Sequence, residues 1–186
     1  MPEEASPCCP PAKNIILVGF MGSGKSTIGR ELGQLLSYPL IDTDAVVEEE
    51  QQISISDIFS LKGEPYFRDC ETAAVQKLLG DCLDHHIIAT GGGLPLREEN
   101  RKLLRELGYV VWLDATPDSI LERTARSTNR PLLQTENPRE TIESMLHERN
   151  AIYKDAAHLR LQTSGLSISE TAHGILESAR YFFGQS

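Results

Sequence analysis

Residues 19–27 read GFMGSGKST. Gly19, a gap of four residues, and then Gly24-Lys25-Ser26 is the spacing of a P-loop. Each residue type in it has a physical use. Gly22 and Gly24 let the backbone turn tightly and approach phosphate oxygens with no Cβ in the way. The backbone N–H groups of Gly22, Ser23, Gly24, Lys25, Ser26 and Thr27 can then form an anion nest at a helix N-terminus, where the helix dipole also favours negative charge. Lys25 can bridge the β- and γ-phosphates and follow charge as it develops in transfer. Ser26 offers a hydroxyl to Mg²⁺, a cation that prefers oxygen ligands. The flanks agree with this reading. Asn14 to Val18 is a short apolar run suited to a strand buried on both faces, and Ile28, Leu32, Leu35 and Leu36 recur at helical spacing. Many phosphate-handling proteins share such a loop, so the acceptor has to be read from the rest of the chain.

The chain has 186 residues, enough for one domain with a sizeable core. With 18 basic and 27 acidic residues, its formal net charge is −9. That balance excludes nucleic-acid binding driven by a basic surface. An anionic substrate therefore has to be caught by a local group of arginines. No apolar run approaches a membrane span, so a membrane partner is not expected. The first residues, MPEEASPCCPPAKN, have no apolar core of the signal-peptide kind and hold four prolines. They predict a disordered tail over 1–12 ahead of a single domain over 13–186. Cys8, Cys9, Cys70 and Cys82 lack zinc-ligand spacing, and Cys70 and Cys82 fall in helical patterns. Reduced thiols in a cytoplasmic protein are the expectation.

Strand signals alternate with helix signals. Candidate strands are Pro39–Ile41, His86–Thr90, Tyr109–Leu113 and, with an alternation suited to a sheet edge, His158–Gln162. Capping signals at Thr116-Pro117, Asn137-Pro138 and Ser167 mark helix starts, with Glu140 and Glu170 three residues after the last two. Longer helical patterns cover about 65–80 and 97–107. Strands separated by helices imply a parallel sheet in a three-layer α/β/α domain, with ligands at the carboxyl ends of the strands. The P-loop, Asp42-Thr43-Asp44 and Gly91-Gly92-Gly93 all follow strands, and should converge.

The acceptor is read from these strand ends and the arginines around them. In extended chain Asp42 and Asp44 share a side. One carboxylate could hold Mg²⁺ through water, and the other could take a hydrogen bond from a hydroxyl acceptor. Alternatively Asp44 or Thr43 caps a helix over 45–51. Arg68 and Glu71 can form an ordinary ion pair on one helical face, or Glu71 can aim Arg68 at a carboxylate. Three consecutive glycines, Gly91 to Gly93, point to a ligand passing close to the backbone. Arg123, Arg126 and Arg130 precede a polar stretch that predicts a mobile lid over about 123–137. Arg149 falls in phase with the apolar stripe of its helix, so it needs either a structural carboxylate or a bound anion as partner. The parts add up to a small hydroxy acid rather than a nucleotide as acceptor.

GFMGSGKSTIGR, DTD, FRDCE, TGGG and RPLL, in this order and spacing, resemble the shikimate kinase family over about residues 14–180. The resemblance implies ATP-dependent phosphorylation of the shikimate 3-hydroxyl in aromatic amino-acid biosynthesis, with ATP and shikimate as partners. It implies a five-stranded parallel sheet in the order 2-3-1-4-5, and a monomer. It also implies roles. Lys25 stabilises the transferring phosphoryl group, Ser26 ligates Mg²⁺, and Asp42 stands in the ion's outer shell. Asp44 holds the substrate hydroxyls, Arg68 and Arg149 grip the carboxylate, and Gly92, flanked by Gly91 and Gly93, contacts substrate. Arg130 reaches the ATP phosphates and Arg126 lies near the adenine. Ala151 departs from the family, which often has proline there.

Overall fold

The apolar runs form short strands. In the computed structural model, which describes residues 12–124 and 137–184, they are β1 (Ile15–Val18), β2 (Leu40–Asp42), β3 (Ile87–Ala89), β4 (Tyr109–Asp114) and β5 (Leu159–Gln162). They form one all-parallel sheet in the order β2-β3-β1-β4-β5, as the family resemblance implies. Leu17 stands between Ala89 and Val111, and Asp42 pairs with Ala89, so the carboxyl ends of β2, β3 and β1 lie side by side. Every residue of β1 is buried, whereas β5 alternates between half-buried and exposed, as an edge strand should.

Helices cover both faces. On one, α1 (Lys25–Leu36) and α7 (Ile168–Gly184) bury Ile28, Leu32 and Ile175 against Leu17, Ile87 and Leu113. On the other, α3 (Ile55–Gly80), α4 (Glu98–Leu107) and α6 (Pro138–Ala156) bury Val75, Leu104 and Ile142 against Ile16, Ile88 and Trp112. Two shorter helices, α2 (Thr43–Gln51) and α5 (Pro117–Thr124), follow β2 and β4.

Several boundaries differ from the sequence reading. α2 begins at Thr43 rather than 45, because Asp42 is its cap: the Asp42 side chain accepts from the Asp44 N–H at 3.1 Å. Thr43 and Asp44 thus lie inside the first turn. α3 starts ten residues before the expected 65, capped by Ser54, whose hydroxyl accepts from the Asp57 N–H at 3.1 Å. A kink at Gly63 (φ 81°, ψ 170°) precedes Pro65, so the periodicity breaks and the first half reads as a separate, short segment. Ser167 and Glu170 form the full reciprocal capping box, at 3.2 and 2.8 Å. Asn137 makes no side-chain cap bond; its amide donates to Glu140 instead. Cys70 is a free buried thiol, whereas Cys82 is disulfide-bonded and sits beyond α3 at φ 49°, outside any helix. The expected tail, Ala12 apart, and the part of the expected lid that carries Arg126 and Arg130 lie outside the described residues.

Candidate active site

The P-loop forms a nest at the start of α1, in which the Ser23 N–H donates to the Phe20 carbonyl at 3.1 Å. Gly22 and Gly24 take φ of 77° and 102°, conformations that side chains resist, and α1 begins at Lys25 with no side-chain cap on its first N–H groups. Ser23 is buried and Thr27 is exposed. Lys25 folds back over the nest, its Nζ donating to the carbonyls of Gly19 (2.8 Å) and Phe20 (3.0 Å). Arg123, at the end of α5, donates to the Ser23 carbonyl at 3.3 Å. The sequence reading placed Arg123 at the start of the expected lid and gave it no ligand; it lies instead in the last turn of α5.

Beside the nest, the Ser26 hydroxyl donates to Asp42 Oδ2 at 3.3 Å. Asp42 therefore works at two places, with Oδ1 capping α2 and Oδ2 facing Ser26. Two hard oxygen donors at the mouth of a phosphate nest suit Mg²⁺.

The triglycine turn ties the strand ends together. The Gly91 N–H donates to Thr43 Oγ1 at 3.0 Å. A Cβ on Gly91 would collide with Asp44 Oδ1 and Glu71 Oε1, and one on Gly93 would collide with the Arg68 guanidinium. A Cβ on Gly92 would come to 3.3 Å from the Met21 N and 3.5 Å from the Gly19 carbonyl oxygen. None of the three has a positive φ. The run is therefore glycine for want of space, and much of that space is filled by the chain's own Asp44, Glu71 and Arg68. Asp42, Asp44, Arg68 and the triglycine turn all meet at the P-loop.

Arg68 is held by two carboxylates, Glu71 at 2.7 Å and Glu64 at 2.7 Å. Burial pulls its guanidinium down, and the bonds to Glu71 and Glu64 more than restore it, so it lies above its ordinary value. Glu71 is the unequal partner. Its side chain is 1% exposed, and Oε1 has no hydrogen-bond partner among the described residues. Burial raises its carboxyl to about 7; Arg68 opposes that rise, and the charge of Asp44 adds to it. Arg97 opposes the rise more weakly than Arg68, and burial prevails at Glu71. The ion-pair reading of Arg68 and Glu71 thus holds, and the pair lies against Gly93 beside Asp44.

Arg149 is half-buried, with its guanidinium 5.6 Å from the Phe20 ring centroid and close to the Tyr153 hydroxyl. α6 thereby brings Arg149 to the P-loop side of the site. A cavity of about 340 Å³, lined by Asp114, Glu143, His147 and Gln162 among others, shares no residue with the three loops.

Comparison with known proteins bears on what this arrangement does. A family model described as shikimate kinase matches residues 21–180. A shikimate kinase of Actinobacillus pleuropneumoniae serotype 5b is 46% identical over 165 residues, covering 89% of this chain and 94% of its own length. The solved shikimate kinase of Acinetobacter baumannii, in complex with shikimate, is 35% identical and superposes with a TM-score of 0.84, over 94% of this chain and 95% of its own. A gluconokinase of Sinorhizobium meliloti, 18% identical with a TM-score of 0.56 over 96% of this chain and 98% of its own, shares the fold.

Proposed function

The chain belongs to the shikimate kinase family, and from that membership we propose how its residues carry out the reaction. The reaction is transfer of the terminal phosphoryl group of ATP to the 3-hydroxyl of shikimate, giving shikimate 3-phosphate and ADP, within aromatic amino-acid biosynthesis. The nest from Gly22 to Thr27 receives the phosphates. Lys25 leaves the Gly19 and Phe20 carbonyls, its present partners, and turns to the transferring phosphoryl group. There its charge counters the negative charge that builds up in transfer. Arg123, bonded to the Ser23 carbonyl, stands at the nucleotide's rim. Arg130 and Arg126 are assigned to the nucleotide by their place in the motif alone.

Ser26 would hold Mg²⁺ directly and Asp42 through water, both through oxygen, as the 3.3 Å pair allows. The ion supplies charge neutralisation on the phosphates when bound. Arg68 and Arg149 grip the shikimate carboxylate. Arg68 presents a planar fork suited to two oxygens, pre-aimed by Glu71 and Glu64. Asp44 accepts the hydrogen bond of the 3-hydroxyl and takes its proton as the oxygen attacks the terminal phosphorus and ADP departs. The observation that carries this account is the convergence at the triglycine turn, where Gly91 touches Asp44, Gly93 touches Arg68 and Gly92 touches the P-loop backbone. Action as a monomer in the cytoplasm completes the proposal.

ADP release measured with a panel of hydroxy acids tests it. Turnover should be found with shikimate and depend on added Mg²⁺. Turnover with gluconate and none with shikimate would overturn the account, and sedimentation as a dimer would remove the monomer.

A further inference from the structure

Tyr153 is 0% exposed, among the largest fully buried side chains of the core, yet it carries a hydroxyl. A buried hydroxyl needs a partner, and this one donates to the Gly92 carbonyl at 2.7 Å. The other two carbonyls of the triglycine run are satisfied locally, Gly91 by the Leu94 N–H at 3.2 Å and Gly93 by the Leu96 N–H at 3.0 Å. Among the described residues, only the middle carbonyl is bonded from a distant element, by a residue 61 positions away on α6. A Cβ on Gly92 would come to 3.3 Å from Met21 N and 3.5 Å from the Gly19 carbonyl oxygen of the P-loop. Gly92 thus lies close to the nucleotide loop and is bonded to Tyr153. One turn earlier on α6 comes Arg149, beside the same hydroxyl and over the Phe20 ring. The Tyr153 ring is itself fixed, 5.9 Å from the Trp112 ring centroid.

We propose that Tyr153 is a positioning residue for the acceptor: its hydroxyl holds the Gly92 carbonyl and so fixes the triglycine turn relative to Arg149. The inference rests on the residue-level reading above and deepens it. Asp44, Arg68 and Glu71 lean on Gly91 and Gly93, while Arg149 rides on α6. The Tyr153 hydroxyl is the direct bond between these two halves of the acceptor grip. The nucleotide nest is closed by α1 and does not need that bond.

Tyr153→Phe removes the hydroxyl and keeps the ring, so packing against Trp112 survives. The expected result is a rise in shikimate KM of about three- to tenfold, the worth of one net hydrogen bond. ATP KM and kcat should stay within about twofold, the pattern of lost ground-state binding. Equal rises in both KM values, or a lowered Tm with unchanged KM values, would make Tyr153 merely structural and overturn the proposal. Hydrogen exchange of the unmutated protein gives a second readout. Shikimate should slow exchange at Gly91 to Leu94 and in the last turn of α6 together. Slowing at the turn without α6 would refute the coupling. Calorimetry of the unmutated protein with shikimate separates the two levels. No binding there defeats the site reading as a whole, whereas normal binding with an unaffected Tyr153→Phe variant defeats this inference alone.

Discussion

Glu71→Gln tests whether burial or the ion pair governs the carboxylate that backs Arg68. The carboxyl is raised from 4.5 to about 7. A raised carboxyl holds its proton more tightly folded than unfolded. Between the two values the native chain therefore binds more protons, and stability falls as pH rises. The contribution is fully present below pH 4.5 and is lost by about pH 7. At about 1.36 kcal/mol per pH unit the loss amounts to roughly 3 kcal/mol, an order-of-magnitude figure for a side chain only 1% exposed. Glutamine keeps the shape and an oxygen for Arg68 but cannot ionise. Urea unfolding of both proteins at pH 5, 6, 7 and 8 reads the difference. Relative to wild type, Glu71→Gln should gain up to roughly 3 kcal/mol across that range, a relative midpoint shift of about 1 M or more. A constant difference would mean that Glu71 does not titrate there. That flat profile is what a carboxyl held below 4.5 by the Arg68 pair would give, and it would refute the reasoning.

Other substitutions probe the remaining assignments. Lys25→Met should lower kcat about 10²-fold or more, as removal of one preorganised donor does; near-normal turnover in a steady-state assay would contradict its role. Asp44→Asn keeps size and removes basicity, and should lower kcat by about 10²- to 10⁴-fold while shikimate still binds by calorimetry. An unchanged kcat would reduce Asp44 to a structural member of the first turn of α2. Arg149→Ala should raise shikimate KM with little change in ATP KM. A collapsed Tm with unchanged KM would make it a structural arginine seated on Phe20.

The parts of this molecule that were legible in its sequence are those with local punctuation. Strands stop at Asp42, just ahead of the triglycine run and at the P-loop, close to residues that strands reject, and the capping box at Ser167 is written in four consecutive letters. Convergence of the three loops followed from the parallel topology. Features that depend on contacts between distant segments were not legible. The sequence offered Asp44 or Thr43 as the cap of α2, and only the backbone geometry gives that task to Asp42. The first half of α3 was hidden by the Gly63 kink and Pro65. Nothing near Tyr153 in sequence announces its bond to Gly92. The burial of Glu71 was likewise unreadable, since a glutamate three residues from an arginine usually marks a surface pair.

Asp42 answers to two masters, and only one of them cares about its charge. Asparagine or serine would cap α2 about as well, so a copy of this chain that had lost its catalytic duty could drift to either at that position without becoming less robust. In such a lineage the scaffold would outlive the chemistry, and the letter at position 42 would record the divergence before any melting curve did.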